Sequence, residues 1–372
     1  MNYGAIPSPC YVLEESKLLK NLQLMERVQQ EAKIDIILAF KGFAMWSAFP
    51  LVKKFLRGAT ASSLHEAKLC FEEMGSKAHT YCVAYKPSEF DEVASLSSHL
   101  IFNSISQYQS LRSRIPQDVS CGIRVNPQWS DVATDLYNPA SPTSRLGVSP
   151  DVLEDGLPEG IEGLHFHVLC ESDSYALEKV LASLERRFAK CLSMAKWVNM
   201  GGGHLMTREG YDIAHLISVL QKFKRDHQVE IVLEPGSAVA WQVGFLRTTI
   251  LDIVENGGVK TIIPDTSFTC HMPDTLEMPY RPTIVGTTND YTVYKYRIGG
   301  VSCLAGDFLD TYNFQSEPQI GDDMIFEDMI HYTTVKTTTF NGVQHPSIGI
   351  WRDEKFELVR EFGYEDYKNR LS

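Results

Sequence analysis

The sequence predicts a (β/α)8 barrel followed by a β-rich second domain. Over the first two-thirds of the chain, eight apolar strand-like runs alternate with amphipathic helical segments. After about residue 245 the helical periodicity stops, and runs rich in Thr, Val, Ile and Tyr take over. The first strand-like run, residues 34–41, reads Ile-Asp-Ile-Ile-Leu-Ala-Phe-Lys. A nearly continuous apolar run suits a parallel strand buried on both faces. Its C-terminal end, where Lys41 stands, is where parallel barrels place their chemistry.

In chain order, strands are expected at 34–40, 58–62, 79–85, 100–104, 121–127, 160–169, 195–201 and 229–234. Between them, residues 15–31 put Leu18, Leu19, Leu22, Met25 and Val28 on one helical face. Residues 64–74, 174–193 and 211–226 follow the same period. Eight strands with helical crossovers favour a closed barrel over an open sheet. Strands of the second domain are expected at Arg247–Val254, Val259–Ile263, Tyr291–Ile298 and Tyr332–Phe340, with Ser8–Leu13 as an added strand. The expected division is a barrel over 14–245 and a β-rich domain formed by 1–13 and 246–372.

The 372 residues carry a formal charge of -12. No basic stripe is present to neutralise phosphates, which argues against a nucleic-acid partner. The charge is compatible with a cationic substrate. Eight cysteines without CxxC pairs suggest neither a zinc knuckle nor a disulfide framework. No apolar run approaches the ~20 residues of a membrane helix. The N-terminus lacks the basic and apolar regions of a secretory signal. A cytoplasmic protein with reduced thiols and no membrane partner is expected.

Several residues are suited to chemistry. A partly desolvated Lys41 would have a lowered pKa and form a Schiff base with an aldehyde, unless it simply extends to solvent. Gly201-Gly202-Gly203-His204 follows a strand and precedes a helical segment, so its backbone N–H groups can cradle a phosphate; a plain turn is the alternative. Glu234, in Glu234-Pro235-Gly236, can keep a ring nitrogen protonated or cap a helix. His165 and His167 lie two apart on one strand face. One suits stacking on a planar cofactor and the other a core position; metal ligation lacks a third ligand at a usual spacing. Cys303 sits between glycines and Asp307 in a loop that looks projected into a site. Tyr332 is a core residue or a phosphate donor. Asp274 and Glu277 form an acidic cluster suited to an ammonium group or to solvent.

Together these motifs resemble the alanine-racemase-like, fold type III family of pyridoxal-phosphate enzymes. Within its decarboxylase branch, the resemblance is greatest to the carboxynorspermidine (carboxyspermidine) decarboxylases. It runs from Pro7-Ser8-Pro9-Cys10-Tyr11-Val12 to Phe340-Asn341-Gly342. The order is lysine strand, Phe166-His167-Val168, the glycine triplet, Glu234-Pro235-Gly236, the Cys303 loop and Tyr332. Ala39-Phe40-Lys41, Ala59-Thr60-Ala61-Ser62-Ser63 and Ser144-Arg145-Leu146-Gly147 point to the polyamine members.

The resemblance implies pyridoxal 5'-phosphate held covalently by Lys41, with His167 on the ring face. It implies Glu234 at the ring nitrogen, and Gly201, Gly202, Gly203 and Tyr332 at the phosphate. Cys303 and Asp307 would enter from the neighbouring subunit of a homodimer with shared sites. Asp274, with Glu277, would meet the distal amine of a carboxylated polyamine, and Arg145 its carboxylate. Cys303 is the candidate acid that reprotonates the α-carbon. Thr60, Ser237 and Leu304 stand where relatives carry an aspartate, an arginine and an acid, and His204 is the candidate to balance the phosphate charge. The competing readings are a diaminopimelate- or ornithine-type decarboxylase, an amino-acid racemase, a non-catalytic cofactor carrier and a metal hydrolase using His165 and His167.

Overall fold

The computed structural model describes residues 3–132, 138–290 and 294–372. It divides into two compact units: Lys20–Val239, and Met1–Leu19 together with Ala240–Ser372.

The first strand, β1 (Cys10–Glu14), belongs to the second unit's sheet. The barrel follows as β2 (Asp35–Ile36), β3 (Leu38–Ala39), β4 (Ala59–Ala61), β5 (Ala78–Tyr81), β6 (Ser97–Phe102), β7 (Ser120–Arg124), β8 (Gly163–His165), β9 (Trp197–Asn199) and β10 (Glu230–Leu233). All neighbouring pairs are parallel. β2 and β3 are pieces of one segment whose ladder changes sides at Ile37. The Ile37 N–H donates to Leu233 O at 2.9 Å, and the Leu38 N–H donates to Gly58 O at 2.9 Å. The segment thus joins β10 to β4 and closes an eight-membered barrel, as the sequence predicts.

The helical periods also hold. Glu15–Ala32 buries Leu18, Leu22, Met25 and Val28 completely, each contributing roughly 1.5–3 kcal/mol. The expected helix at 64–74 is Leu64–Leu69, which loosens into a π turn at Cys70–Met74. The expected helix at 174–193 breaks at Phe188 into Ser174–Arg187 and Ala189–Leu192.

The barrel's inner face is more polar than the branched aliphatic filling usual for this architecture. Alternate residues of β5 to β9 place His79, Tyr81, His99, Arg124, His165, Trp197 and Asn199 on that face. The Trp197 indole spans the strands beside it because Gly122 and Gly163 leave room; a Cβ at either would come within 2.3 and 2.1 Å of the ring. Its Nε1–H donates to Ser120 Oγ at 2.8 Å, so the buried indole is satisfied.

The second unit is a sheet with the order β14-β13-β12-β11-β1-β16-β17, with β15 also on β11. Its strands are β11 (Gly244–Asn256), β12 (Val259–Pro264), β13 (Tyr294–Gly299), β14 (Phe308–Phe314), β15 (Asp323–Glu327), β16 (Ser347–Arg352) and β17 (Lys355–Arg360). β1 pairs antiparallel with β11 and parallel with β16. Residues 291–293 of the expected strand Tyr291–Ile298 lie outside the described residues.

The expected strand Tyr332–Phe340 is corrected: it is a series of turns, with Val335 N donating to Tyr332 O at 3.2 Å. Threonine hydroxyls win over β-propensity here. Thr333 Oγ1 donates to Asp274 and Thr334 Oγ1 to Ile330 O. Among the described residues no helix is long and apolar enough to cross a membrane.

Candidate active site

β3 ends at Ala39, and the chain turns so that the Gly42 and Phe43 N–H groups both donate to Ala39 O, at 3.0 and 3.2 Å. This turn presents Lys41, whose Nζ lies 3.0 Å from His167 Nε2. The other ring nitrogen, His167 Nδ1, accepts from the Gly202 N–H at 3.0 Å. A neutral imidazole that accepts at Nδ1 carries its hydrogen on Nε2. That hydrogen points at Lys41 Nζ, which must then offer a lone pair. The geometry therefore holds Lys41 as a neutral, nucleophilic amine.

Charge and burial act in the same direction. Burial lowers the Lys41 pKa, the Arg124 charge lowers it further, and Glu234 opposes both. Burial also pushes His167 well below the ordinary histidine range. The Lys41 side chain is open to solvent although protein surrounds it on most sides. A small molecule can reach the amine, while its charged form is poorly hydrated.

Glu234 follows β10 and is almost fully buried. Its Oε1 accepts from Asn199 Nδ2 at 2.5 Å, and its Oε2 lies 3.5 Å from His165 Nε2. Burial alone would raise this carboxyl. The His165 contact, the Asn199 amide and His79 outweigh it and hold Glu234 below the usual carboxylate range. The turn after β3 and the loop after β10 meet backbone to backbone: a Cβ on Gly42 would stand 2.7 Å from Gly236 Cα. This contact brings the amine and the carboxylate into one region.

The glycine triplet is partly engaged within the chain. The Gly201 N–H donates to Asn199 Oδ1 at 2.9 Å and the Gly202 N–H to His167, so these two amides are already engaged. Gly202 and Gly203 are required for space, since a Cβ would meet Glu234 O at 2.2 Å and Leu169 O at 1.9 Å respectively. No helix stands directly behind them; the next one begins at Ile213, capped by Asp212. His204 is buried against the Tyr211 hydroxyl at 3.0 Å, and burial takes its pKa down to about 4, which favours the neutral ring.

In the second unit, Cys303 is exposed at the tip of a loop, with its N–H donating to Asn341 Oδ1 at 2.9 Å. Asp307 anchors that loop. Its Oδ1 accepts from the Phe268 and Thr269 N–H groups at 2.8 and 3.1 Å. Its Oδ2 accepts from the Ser302 hydroxyl and N–H at 2.6 and 3.2 Å. A buried carboxylate so fully engaged has little left for a ligand. Asp307→Ala is expected to destabilise the protein by on the order of 3 kcal/mol, seen as a lowered denaturation midpoint. An unchanged midpoint would contradict the anchoring role.

Asp274 opens the helical turn Asp274–Glu277 and is buried. Its Oδ2 accepts from the Tyr280 hydroxyl at 2.7 Å and from Thr333 Oγ1 at 2.9 Å, while its buried Oδ1 has no partner. Glu277 pairs with Lys336 Nζ at 2.5 Å near the surface, so the two acids sit in different environments. Tyr332 is half-buried, edge-on to His331 at 6.3 Å.

Residues 10–330 match the family described as pyridoxal-dependent decarboxylase, C-terminal sheet domain. The chain belongs to the pyridoxal-dependent decarboxylases. This decarboxylase is 51% identical over 375 residues to the carboxyaminopropylagmatine decarboxylase of Synechocystis, covering 99% of this chain and 96% of the relative. It is 42% identical over 384 residues to the carboxynorspermidine/carboxyspermidine decarboxylase of Campylobacter jejuni, covering 100% of both. The crystal structure of carboxynorspermidine decarboxylase from Campylobacter jejuni, complexed with norspermidine, superposes with a TM-score of 0.92 at 40% identity. It covers 98% of this chain and 100% of that one. Diaminopimelate decarboxylase from Helicobacter pylori has the same fold, with a TM-score of 0.84 at 17% identity, over 99% of this chain and 98% of that one. The resemblance read from the sequence therefore holds, and the racemase, carrier and hydrolase readings give way to it.

The cofactor of this decarboxylase is pyridoxal 5'-phosphate, and the barrel residues fit it. A neutral amine at Lys41 suits an aldehyde, and an anionic Glu234 suits a protonated ring nitrogen. Sequence reasoning missed one buried residue in this region. Arg124, at the end of β7, donates from Nη2 to His167 O at 2.9 Å and stacks over Tyr81 at 4.7 Å. Its charge is felt at Lys41, His167 and Glu234. The signal was an arginine inside an apolar strand, Gly122-Ile123-Arg124-Val125. Arg145 is exposed, with a charge that reaches Tyr81 and Arg124; its carbonyl accepts from Asn103 Nδ2 at 2.9 Å.

Proposed function

We propose that this decarboxylase removes CO2 from carboxynorspermidine and carboxyspermidine, giving norspermidine and spermidine. The observation that carries the substrate class is Asp274: a buried carboxylate with one oxygen engaged by two hydroxyls and the other open to a single donor. A distal ammonium meets that need as a point charge. Bound pyridoxal phosphate supplies an aldehyde for covalent attachment and a ring that takes up the electron pair released with CO2.

The chain's residues divide the remaining tasks. Lys41 would hold the cofactor through its amine, whose lone pair is left free by the His167 contact. His167 covers the ring face. Glu234 stays anionic and keeps a proton on the ring nitrogen. Gly203 and Tyr332 are the remaining candidates for the phosphate. Arg145 takes an anionic group such as the substrate carboxylate, a role supported by its exposed, charged head. Cys303 returns a proton to the α-carbon.

The protein acts as a cytoplasmic homodimer with shared sites. The apolar side chains exposed around the Cys303 loop, Val301, Leu304, Phe308 and Phe340, support an interface there. A Stokes radius and scattering mass of a monomer at micromolar concentration would contradict it.

One relative favours a second reading. The Synechocystis protein is named for a carboxylated agmatine, which ends in a guanidinium. A guanidinium fork binds best to both oxygens of a carboxylate, and Asp274 Oδ2 already accepts twice. Steady-state kinetics on the three carboxylated substrates decides. Carboxynorspermidine and carboxyspermidine differ by one methylene, worth ~1–3 kcal/mol, so comparable kcat/KM values are expected for them. A higher kcat/KM for the guanidino substrate would replace the first reading with the second.

A further inference from the structure

His165, on β8, is buried at 2% exposure, and neither ring nitrogen has a settled hydrogen-bond partner. Its Nε2 lies 3.5 Å from Glu234 Oε2, at the outer edge of hydrogen-bond range. The other Glu234 oxygen is taken by Asn199 on β9.

The groups facing the imidazole come from several elements. Tyr81 on β5 is tilted against it, with ring centroids 5.3 Å apart. The charges of Glu234 after β10 and of Arg124 on β7 act on it in opposite directions, and the Lys41 amine after β3 is within electrostatic reach. His79 on β5 couples to it and is stacked in turn on His99 of β6 at 3.9 Å. Burial, the largest influence, and the Arg124 charge oppose a protonated ring against the pull of Glu234, so His165 has one hydrogen to place. Only the Nε2–H tautomer offers that hydrogen to Glu234; the other leaves two lone pairs facing each other in a buried site.

We infer that His165 is a positioning residue, whose Nε2–H holds Glu234 Oε2 so that the carboxylate stays proton-free and aimed, and the shared proton rests on the cofactor's ring nitrogen. This rests on the reading of Glu234 as the partner of that nitrogen. With Asn199 on one oxygen and His165 on the other, the carboxylate is fixed in plane and made a weak base. In this role His165 acts through Glu234 alone.

The test compares holoenzyme carrying His165→Leu or His165→Phe with His165→Gln, which restores a donor. The readouts are the pH titration of the bound cofactor's absorbance, the rate of cofactor loss on dilution, and kcat and KM. In either apolar variant the absorbance transition is expected to move toward neutral pH by ~1 unit or more. kcat is expected to fall about 10- to 100-fold with KM little changed. His165→Gln should recover most of both effects. An unshifted titration in a folded apolar variant, or equal losses in the apolar and Gln variants, would reduce His165 to a space-filling role and overturn the inference. Wild-type protein that takes up no pyridoxal phosphate would overturn it together with the reading of the site, and needs no variant to detect.

Discussion

Lys41→Ala is expected to abolish covalent attachment of pyridoxal phosphate and to lower turnover by on the order of 10³-fold or more. The reason is the amine's place at 3.0 Å from an imidazole that can only donate to it. Borohydride reduction followed by peptide mapping should find the cofactor at position 41 in the wild type and nowhere in the variant. Retained cofactor absorbance and CO2 release in Lys41→Ala would refute the assignment. The pH dependence of attachment follows from the same contacts. Burial and Arg124 lower the Lys41 pKa from the usual ~10.4. As pH falls through that lowered value, the amine gains a proton and loses its lone pair. The rate of cofactor uptake by the apoprotein should therefore fall on the acid side and persist well below pH ~10.

Glu234→Gln is expected to lower kcat by about 10²–10³-fold, the usual cost of removing one preorganised electrostatic group. It leaves a side chain of the same shape between Asn199 and His165, so the loss reports the missing charge rather than a cavity. The sign of the stability change with pH is also fixed. The folded-state pKa of Glu234 lies below its unfolded value of ~4.3. Between those values the unfolded chain binds the extra proton. The stability this carboxylate contributes is thus complete above pH ~4.3 and is lost as pH falls toward the folded-state value. Urea unfolding should show an acid-side decline in the wild type that is shallower in Glu234→Gln; identical slopes would contradict the assignment of charge.

The barrel was legible because its strands are apolar on both faces and its helices keep a strict period. All eight strand positions appear, the longest expected run, 160–169, shrinking to Gly163–His165. That shortening has a cause: the chain leaves the ladder after His165, and His167 comes to face Lys41. Lys41, His167 and Glu234 were singled out because strand ends are where a barrel exposes side chains. Arg124 was not, because an arginine in an apolar run reads as an edge residue until its guanidinium is seen stacked on Tyr81. The triplet's amides could not be assigned from sequence, since their acceptors are side chains, Asn199 just upstream and His167 after the neighbouring strand, whose approach only the closed barrel sets. The anchoring by Asp307 was not legible for a similar reason: an acidic residue beside a glycine-flanked loop looks like a ligand, and only the donors around the carboxylate reveal an anchor.

The Asp307 anchor has a consequence for how such a protein can diverge. The arch of backbone is clamped from below, at Ser302, Phe268 and Thr269. The side chains at its crest, Cys303 and Leu304, are exposed and take no part in that clamp. Descendants can therefore exchange the crest residues one at a time, trying new proton donors or new substrate ends, while the arch beneath keeps its shape.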